Sequence, residues 1–310
     1  MSKIAFIFSG QGSQYTGMGK ELYDNFIKSK DIFDIANSQL GFDLAETCFT
    51  GSKEQLNVTE ITQPAVLTVS VAAMKALESQ GIKADVTAGF SLGEYSALIC
   101  SKALEFEEGV KLVRKRGKYM QEAVPVGKGG MAAILGLDKN LVLEGCKEAS
   151  VLGTVEAVNF NCPGQIVIAG ETEALKAAVS ILTSKGGKGI TLPVSAPFHS
   201  SLLKPAAEKL QKELQSIKIG DMQIPVLTDV HGDYIDCKDS IKDLLVKQAM
   251  SPVLWEDIIR RMLGDGIDTF IELGPGKTLT GFLRKIDRNV KALNVEDLKS
   301  LNNTLEAIGK

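Results

Sequence analysis

A serine at position 91 stands in a context that suits nucleophilic chemistry. The segment GFSLGEYSALIC places Ser91 in the spacing Gly89-x-Ser91-x-Gly93, after a predicted strand and before a predicted helix. A turn this sharp strains the backbone, and glycine neighbours leave room for it. It would raise the hydroxyl above the sheet and leave the N–H of Leu92 at a helix N-terminus, where negative charge is stabilised. The alternative is an ordinary helix-capping serine.

A serine nucleophile needs a base within hydrogen-bond reach, and the chain has only two histidines. His199 lies between Pro197 and a predicted helix, in SAPFHSSLLKPAAEKL. His231 lies in a polar turn, DVHGD, after a predicted strand, where a surface histidine is expected. His199 is therefore the candidate base, although position alone leaves a purely structural role open.

A glycine-rich loop, SGQGSQYTGMG (9–19), follows the first predicted strand. Its glycines do not have the G-x-G-x-x-G spacing of a dinucleotide site, and no G-K-[ST] follows. Such a loop beside a nucleophile can supply a second backbone N–H to an oxyanion hole. The alternative is a tight strand-to-helix turn without a chemical role.

An arginine lies on the apolar side of a predicted helix. The segment KLVRKRGKYM (111–120) carries five basic residues, and a helical wheel places four of them together on one side. Arg116 falls on the opposite side, among residues such as Leu112 and Met120. A buried guanidinium needs an anionic partner, which is either a structural carboxylate or a substrate carboxylate held bidentately.

Composition excludes several classes of protein. The 310 residues include 35 basic and 38 acidic side chains, a balance that indicates neither a nucleic-acid partner nor a membrane surface. No apolar run approaches a membrane span, and the N-terminus does not resemble a secretory signal. The five cysteines are scattered without a CxxC pair, so we expect free thiols, no metal site and a cytoplasmic protein.

The order of predicted elements indicates two α/β units. Strands at 3–8 and 85–90 alternate with helices, which favours a mainly parallel sheet. Residues 128–196 then follow a βαββαβ order, the ferredoxin-like plan. The α/β pattern resumes with helices at 200–217, 239–248 and 255–264 and strands IPVLTDV and DTFIEL. We predict a large domain, 1–127 and 197–310, with the small domain 128–196 inserted.

These pieces together resemble the malonyl-CoA:acyl carrier protein transacylases of bacterial type II fatty acid synthesis. The resemblance covers essentially the whole chain and implies an α/β-hydrolase-like large domain with a ferredoxin-like insert. It rests on the segments GQGSQ (10–14), TQPA (62–65), SLGEYSAL (91–98), RGKYMQEA (116–123), NCPGQIVIAG (161–170), PVSAPFHSSLLKPAAEKL (193–210) and IELGPGKTLTG (271–281).

The family assigns roles to matching residues. Ser91 would be the acylated nucleophile and His199 its general base and acid. Arg116 would hold the free carboxylate of the malonyl group. The backbone N–H groups of Gln11 and Leu92 would form the oxyanion hole. The backbone carbonyl of Gln248 would orient His199 in place of a triad acid.

The resemblance also implies the reaction and its partners. The enzyme would move malonyl from malonyl-CoA to the phosphopantetheine thiol of acyl carrier protein by a ping-pong route, without metal or bound cofactor. We also expect the chain to act as a monomer. Carrier proteins of this family are acidic, so a basic docking surface is expected. Its candidate residues are Lys204, Lys209, Arg284, Lys285, Arg288 and Lys291.

One position departs from the family pattern. The family usually has histidine before the nucleophile, and this chain has Phe90. Because His199 matches the base, we expect activity to survive. Two other classes of function stay open from the sequence: a serine hydrolase, which shares the elbow, and a catalytically silent scaffold protein, which only Phe90 suggests.

Overall fold

The computed structural model describes residues 3–194 and 196–309, so the parts of the predicted domains at residues 1–2, 195 and 310 lie outside it. Within the described residues the strands are β1 (Ile4–Phe8), β2 (Val86–Gly89), β3 (Gly129–Leu135), β4 (Val155–Cys162), β5 (Gln165–Glu171), β6 (Lys188–Thr191), β7 (Leu227–Thr228), β8 (Asp233–Tyr234), β9 (Thr269–Leu273) and β10 (Lys291–Val295).

Helices cover both sheets. Their bounds are α1 (Lys20–Asn25), α2 (Ile27–Leu40), α3 (Leu44–Thr50), α4 (Lys53–Leu56), α5 (Thr59–Ser79), α6 (Gly93–Cys100), α7 (Phe106–Glu122), α8 (Lys139–Ala149), α9 (Thr172–Ser184), α10 (Lys204–Ser216), α11 (Ile241–Gln248), α12 (Trp255–Gly264), α13 (Thr278–Ile286) and α14 (Leu298–Ala307). Among the residues described, none of these helices combines the length and hydropathy that a membrane span requires.

The larger sheet is parallel, with the strand order β10-β9-β1-β2. Every residue of β2 and β9 is buried, because helices cover both faces of a parallel sheet. The register pairs Phe8 at the end of β1 with Gly89 of β2 and with Leu273 of β9. The loops that leave these three strands therefore meet at one edge, where α/β proteins place their sites.

The smaller sheet is antiparallel, with the order β4-β5-β3-β6. Its helices α8 and α9 bury an apolar core against it that includes Ile134, Ile168 and Leu182. All four strands lie inside residues 128–196, in the predicted βαββαβ order. The predicted fold class, a mainly parallel α/β sheet with a small ferredoxin-like unit, is confirmed.

Two local expectations need correction. The segment 224–230 forms only the short strand β7 and one parallel bridge, from Val226 to Thr87. Pro225 has no N–H to offer a ladder, and the chain turns at Asp229, whose N–H binds a side chain instead of a strand. Strand β10 and helix α14, which complete the edge of the parallel sheet, are further elements that the sequence pattern did not predict.

Candidate active site

The elbow at Ser91 is strained and tightly packed. Ser91 has φ 53, in the left-handed region that non-glycine residues rarely adopt. A Cβ on Gly89 would lie 1.9 Å from the carbonyl carbon of Gly93, and one on Gly93 would lie 2.2 Å from the carbonyl oxygen of Phe8. Only glycine lets helix α6 start this close to the strands. The hydroxyl of Ser91 thereby stands at the carboxyl edge of the sheet.

His199 faces Ser91 directly. The distance between Ser91 Oγ and His199 Nε2 is 2.6 Å, and His199 also has a positive φ of 64. On its other side, His199 Nδ1 lies 2.9 Å from the backbone oxygen of Gln248 and 3.2 Å from that of Ser251. Carbonyl oxygens only accept, so Nδ1 carries the proton and Nε2 is free to accept one from Ser91. His231, in contrast, is exposed.

The environment of His199 favours its neutral form. Burial, and secondly the positive charge of Arg116, lower the pKa of His199 to about 4, while the two carbonyl partners act in the opposite direction. The imidazole is therefore unprotonated at neutral pH. It has the protonation state that a general base requires.

Arg116 is buried beside the nucleophile. It leaves helix α7, is 2% exposed, and its Nη2 lies 3.2 Å from Ser91 Oγ. Its other acceptors are the side-chain oxygens of Gln63 and Gln248, each at 3.0 Å. Its hydrogen-bond acceptors are thus neutral, and its Nε has no hydrogen-bond partner among the described residues. Of the two sequence alternatives, a structural carboxylate bonded directly to Arg116 is not found among the described residues, which leaves the guanidinium available to a substrate anion.

Gln11 and Leu92 flank the elbow from two strands. Leu92 is the N-cap of α6, and Gln11 follows β1, the neighbour of β2 in the sheet. Their backbone N–H groups donate to no acceptor within the described residues. The loop that carries Gln11 touches the elbow, since a Cβ on Gly10 would lie 2.6 Å from the carbonyl oxygen of Phe90. Both N–H groups are therefore available near Ser91 for an oxyanion.

Four features of the site were missed by the sequence analysis. The side chain of Gln248 contacts Arg116, and Gln63 from α5 holds the other guanidinium nitrogen. Two carboxyl groups, Glu94 and Asp229, lie fully buried beneath the elbow. Glu94 lies in the apolar run GEYSALIC, and a lone acidic residue in such a run predicts a buried carboxyl group from the sequence alone.

Phe90 turns away from the dyad into an aromatic cluster. Its ring lies 5.7 Å from that of Trp255 and 6.3 Å from that of Phe282. Such edge and tilted contacts are the favourable arrangements for aromatic pairs. The side chain that replaces the usual histidine therefore packs the elbow against α12 and α13.

A serine hydroxyl bonded to a neutral histidine, two available N–H groups and a buried arginine are the groups that acyl transfer through an ester on serine requires. The chain belongs to the acyl transferase domain family, whose model matches residues 5–302. The resemblance found in the sequence is confirmed, and the chain is an acyltransferase.

The relatives extend over the full chain. It is 44% identical to the malonyl CoA-acyl carrier protein transacylase of Bacillus subtilis, covering 99% of this chain and 98% of that protein. The crystal structure of such a transacylase from Clostridium perfringens matches at 51% identity with a TM-score of 0.97, over 99% of this chain and 97% of the other.

One solved relative contains a partner. It is described as a type II PKS acyl-carrier protein in complex with its malonyl-transacylase. That transacylase matches at 40% identity with a TM-score of 0.96, over 99% of this chain and 100% of the other.

Proposed function

We propose that this acyltransferase moves the malonyl group from malonyl-CoA to the phosphopantetheine thiol of acyl carrier protein, through a malonyl ester on Ser91, and so provides malonyl units for fatty acid synthesis. The observation that carries the proposal is the buried guanidinium of Arg116, which lies 3.2 Å from Ser91 Oγ and whose acceptors within the described ranges are all neutral. The printed names of the relatives support the same substrates.

In the first half-reaction, Ser91 Oγ attacks the thioester carbonyl and its proton moves to His199 Nε2. The carbonyl oxygen becomes an oxyanion, which the N–H groups of Gln11 and Leu92 stabilise; one such donor typically contributes on the order of 100-fold or more. The tetrahedral intermediate collapses, the carbon–sulfur bond breaks, and His199 returns the proton to the coenzyme A thiolate. Malonyl remains on Ser91.

In the second half-reaction, the carrier-protein thiol gives its proton to His199 and attacks the ester carbonyl. The same N–H groups stabilise the second oxyanion, and Ser91 Oγ leaves with the proton from His199. Gln248 keeps the imidazole in one tautomer throughout, because its carbonyl binds the Nδ1 proton. His199 carries the proton in both steps, and the N–H groups of Gln11 and Leu92 stabilise both oxyanions. The proposal therefore includes no metal and no bound cofactor.

We place the enzyme in the cytoplasm and treat the monomer as its working form. Four of the five cysteines are buried and all are unpaired, which suits a reducing compartment. Every side chain of the proposed site comes from one chain, so no second copy is needed to complete it. Light scattering on a sizing column would test the monomer.

The proposal is tested by intact-mass spectrometry after mixing with malonyl-CoA. The wild type should gain one malonyl group, and Ser91→Ala should gain none. The acyl-enzyme, freed of coenzyme A, should persist in water and empty only when an acceptor thiol such as that of the carrier protein is added. No mass gain would refute the proposal, and rapid loss of malonyl to water would favour a hydrolase.

A further inference from the structure

Two carboxyl groups with no role in the reaction above lie beneath the nucleophile. Glu94 projects from α6 and Asp229 from the turn after β7, and neither is exposed to solvent. Asp229 Oδ2 accepts the backbone N–H of Ser91 at 2.7 Å, and Glu94 Oε2 accepts the backbone N–H of Asp229 at 3.0 Å. The acid pair thus holds the strained residue that carries the nucleophile.

Gln248 ties this pair to the rest of the site. Its side-chain Nε2 lies 2.9 Å from Glu94 Oε2, 3.2 Å from Asp229 Oδ2 and 2.8 Å from the carbonyl oxygen of Ser91. The other end of the same amide accepts from Arg116, and its backbone carbonyl binds His199. One residue therefore connects the acid pair with the arginine and the base.

Two oxygens of the pair, one on each carboxyl group, indicate that the pair carries a proton. With both groups ionised, Glu94 Oε1 and Asp229 Oδ1 are buried and find no hydrogen-bond partner in the part of the chain that the structure describes. Burial raises the pKa of Glu94, and burial together with the charge of Glu94 raises the pKa of Asp229 well above its ordinary value. The side chains of Glu94 and Asp229 lie within hydrogen-bond reach of each other, so one proton lets them hydrogen-bond and removes the repulsion between two buried charges.

The charges around the pair fit a single negative charge. The titratable groups whose charges act on the pair are Arg116 from α7 and Tyr95 from α6, and His199 shares the site with Arg116. Tyr95 is neutral, because burial raises its pKa to about 12, and His199 is neutral as described above. One positive charge on Arg116 and one negative charge on the pair leave the buried site without net charge.

We propose that Glu94 and Asp229 share one proton, and that this singly charged pair positions Ser91 through its backbone N–H while it balances Arg116 through Gln248. This inference rests on the proposed function. A doubly charged pair would bias the guanidinium away from the substrate and repel a malonyl carboxylate. A neutral pair would leave Arg116 as an uncompensated buried charge in the absence of substrate. The shared proton avoids both.

The proton is tested by infrared spectroscopy at neutral pH, in normal and heavy water. Exposed carboxyl groups are ionised there, so a carboxylic-acid C=O band reports buried acids. Wild type should show one band from the pair, and Glu94→Gln and Asp229→Asn should each abolish it, because the remaining acid no longer faces a second negative charge and ionises to balance Arg116. Glu272→Gln identifies any band from Glu272, a buried acid outside the site whose pKa burial raises to about 7.

The positioning role is tested by the rate at which Ser91 gains malonyl in the same variants. Each single amide keeps one negative charge and should slow acylation about threefold. The double variant loses the charge and should slow it on the order of 100-fold, well beyond the product of the singles. Glu272→Gln should stay within about twofold. Thermal unfolding shows whether each variant is folded.

Three results would overturn the inference. They are no acid band from the pair in wild type, a band that survives in either single variant, or a double variant that acylates like the singles. A wild type that gains no malonyl would refute the proposed function, and the infrared band would still decide the shared proton. A double variant that fails to fold leaves the decision to that same band.

Discussion

The guanidinium of Arg116 donates to the hydroxyl of Ser91 at 3.2 Å, so the group that would hold a carboxylate and the attacking oxygen are hydrogen-bond neighbours. In a malonyl thioester, one methylene separates the carbonyl from the free carboxylate. Both ends of such a group can therefore be held at once. A longer dicarboxylic acyl group would have to fold back to reach both residues.

Replacing Arg116 with alanine should change which acyl group is transferred. We expect kcat/KM for malonyl-CoA to fall on the order of 1,000-fold, because a buried charge-assisted pair is lost. Transfer from acetyl-CoA should rise, since an unpaired buried guanidinium no longer disfavours it. The measurement is the rate of Ser91 acylation with each thioester.

Arg114→Ala is the matched control for this prediction. Arg114 lies on the same helix but is partly exposed and paired with Glu60, so its loss should leave both acylation rates within about twofold. Unchanged malonyl kinetics in Arg116→Ala would contradict the carboxylate-binding role.

The pH dependence of acylation should follow His199. The base must be neutral, and burial together with Arg116 lowers its pKa to about 4. The rate should therefore stay level as pH falls from 8 to about 5 and drop below about 4, as His199 gains a proton. Single-turnover acylation followed by quenched intact-mass analysis gives this profile. A limb near the ordinary histidine value, about 6.5, would contradict the buried neutral base.

Arg116→Met tests whether the charge of Arg116 contributes to the low pKa of His199. Removing the positive charge raises the pKa of His199, so the low-pH limb should move to higher pH. Acetyl-CoA is the suitable substrate here, because this variant lacks the carboxylate partner. A limb that stays in place would assign the shift to burial alone.

The sequence could predict most of the reacting groups because each sits in a local pattern. Ser91 lies between two glycines, and Arg116 interrupts an apolar helix face. Two of the groups it missed, Gln63 and Asp229, reach the site from elements far from Ser91 in the sequence, whereas Glu94 lies three residues after Ser91. Which amide faces Arg116, and which acid meets the N–H of Ser91, depends on packing that no local spacing records.

In the fold, too, local sequence patterns predict some elements, and tertiary packing decides others. Helix α12 begins and ends where its apolar periodicity predicts, at 255 and 264. Strand β7 is far shorter than the apolar run around it, because Pro225 and the turn at Asp229 limit pairing there. Strand β10 was missed because only Val295 is fully buried, so it lacks the apolar run of a central strand.

Phe90 should contribute to stability rather than to chemistry. Its ring packs against Trp255 and Phe282, so Phe90→Ala should lower the free energy of unfolding by about 2–4 kcal/mol. Acylation per folded molecule should stay within about threefold, because the dyad bond does not involve this ring. Phe90→Leu is the control that keeps apolar volume. Denaturant titration measures stability, and loss of acylation in folded Phe90→Leu would contradict the prediction.

A basic groove at the C-terminal end of α13, beside the start of β10, should bind the acidic carrier protein. Arg284, Lys285 and Arg288 line a cavity of about 470 Å³ at the end of α13, the helix whose Phe282 packs against Phe90. Of the other candidates, Lys209 is already paired with Glu122. The double variant Arg284→Glu/Arg288→Glu should raise KM for the carrier protein about tenfold, because the groove would then repel an acidic partner. Added salt should reduce this effect, since it screens the repulsion.

The two half-reactions separate docking from chemistry. In Arg284→Glu/Arg288→Glu, Ser91 should gain malonyl from malonyl-CoA at the wild-type rate. The defect should appear only when malonyl passes from Ser91 to the carrier protein, and it should be larger at low salt. Lys28→Glu/Lys30→Glu on α2 makes the same change of charge away from this groove and should leave discharge unaltered. Equal discharge rates for both double variants would place the docking surface elsewhere on the molecule.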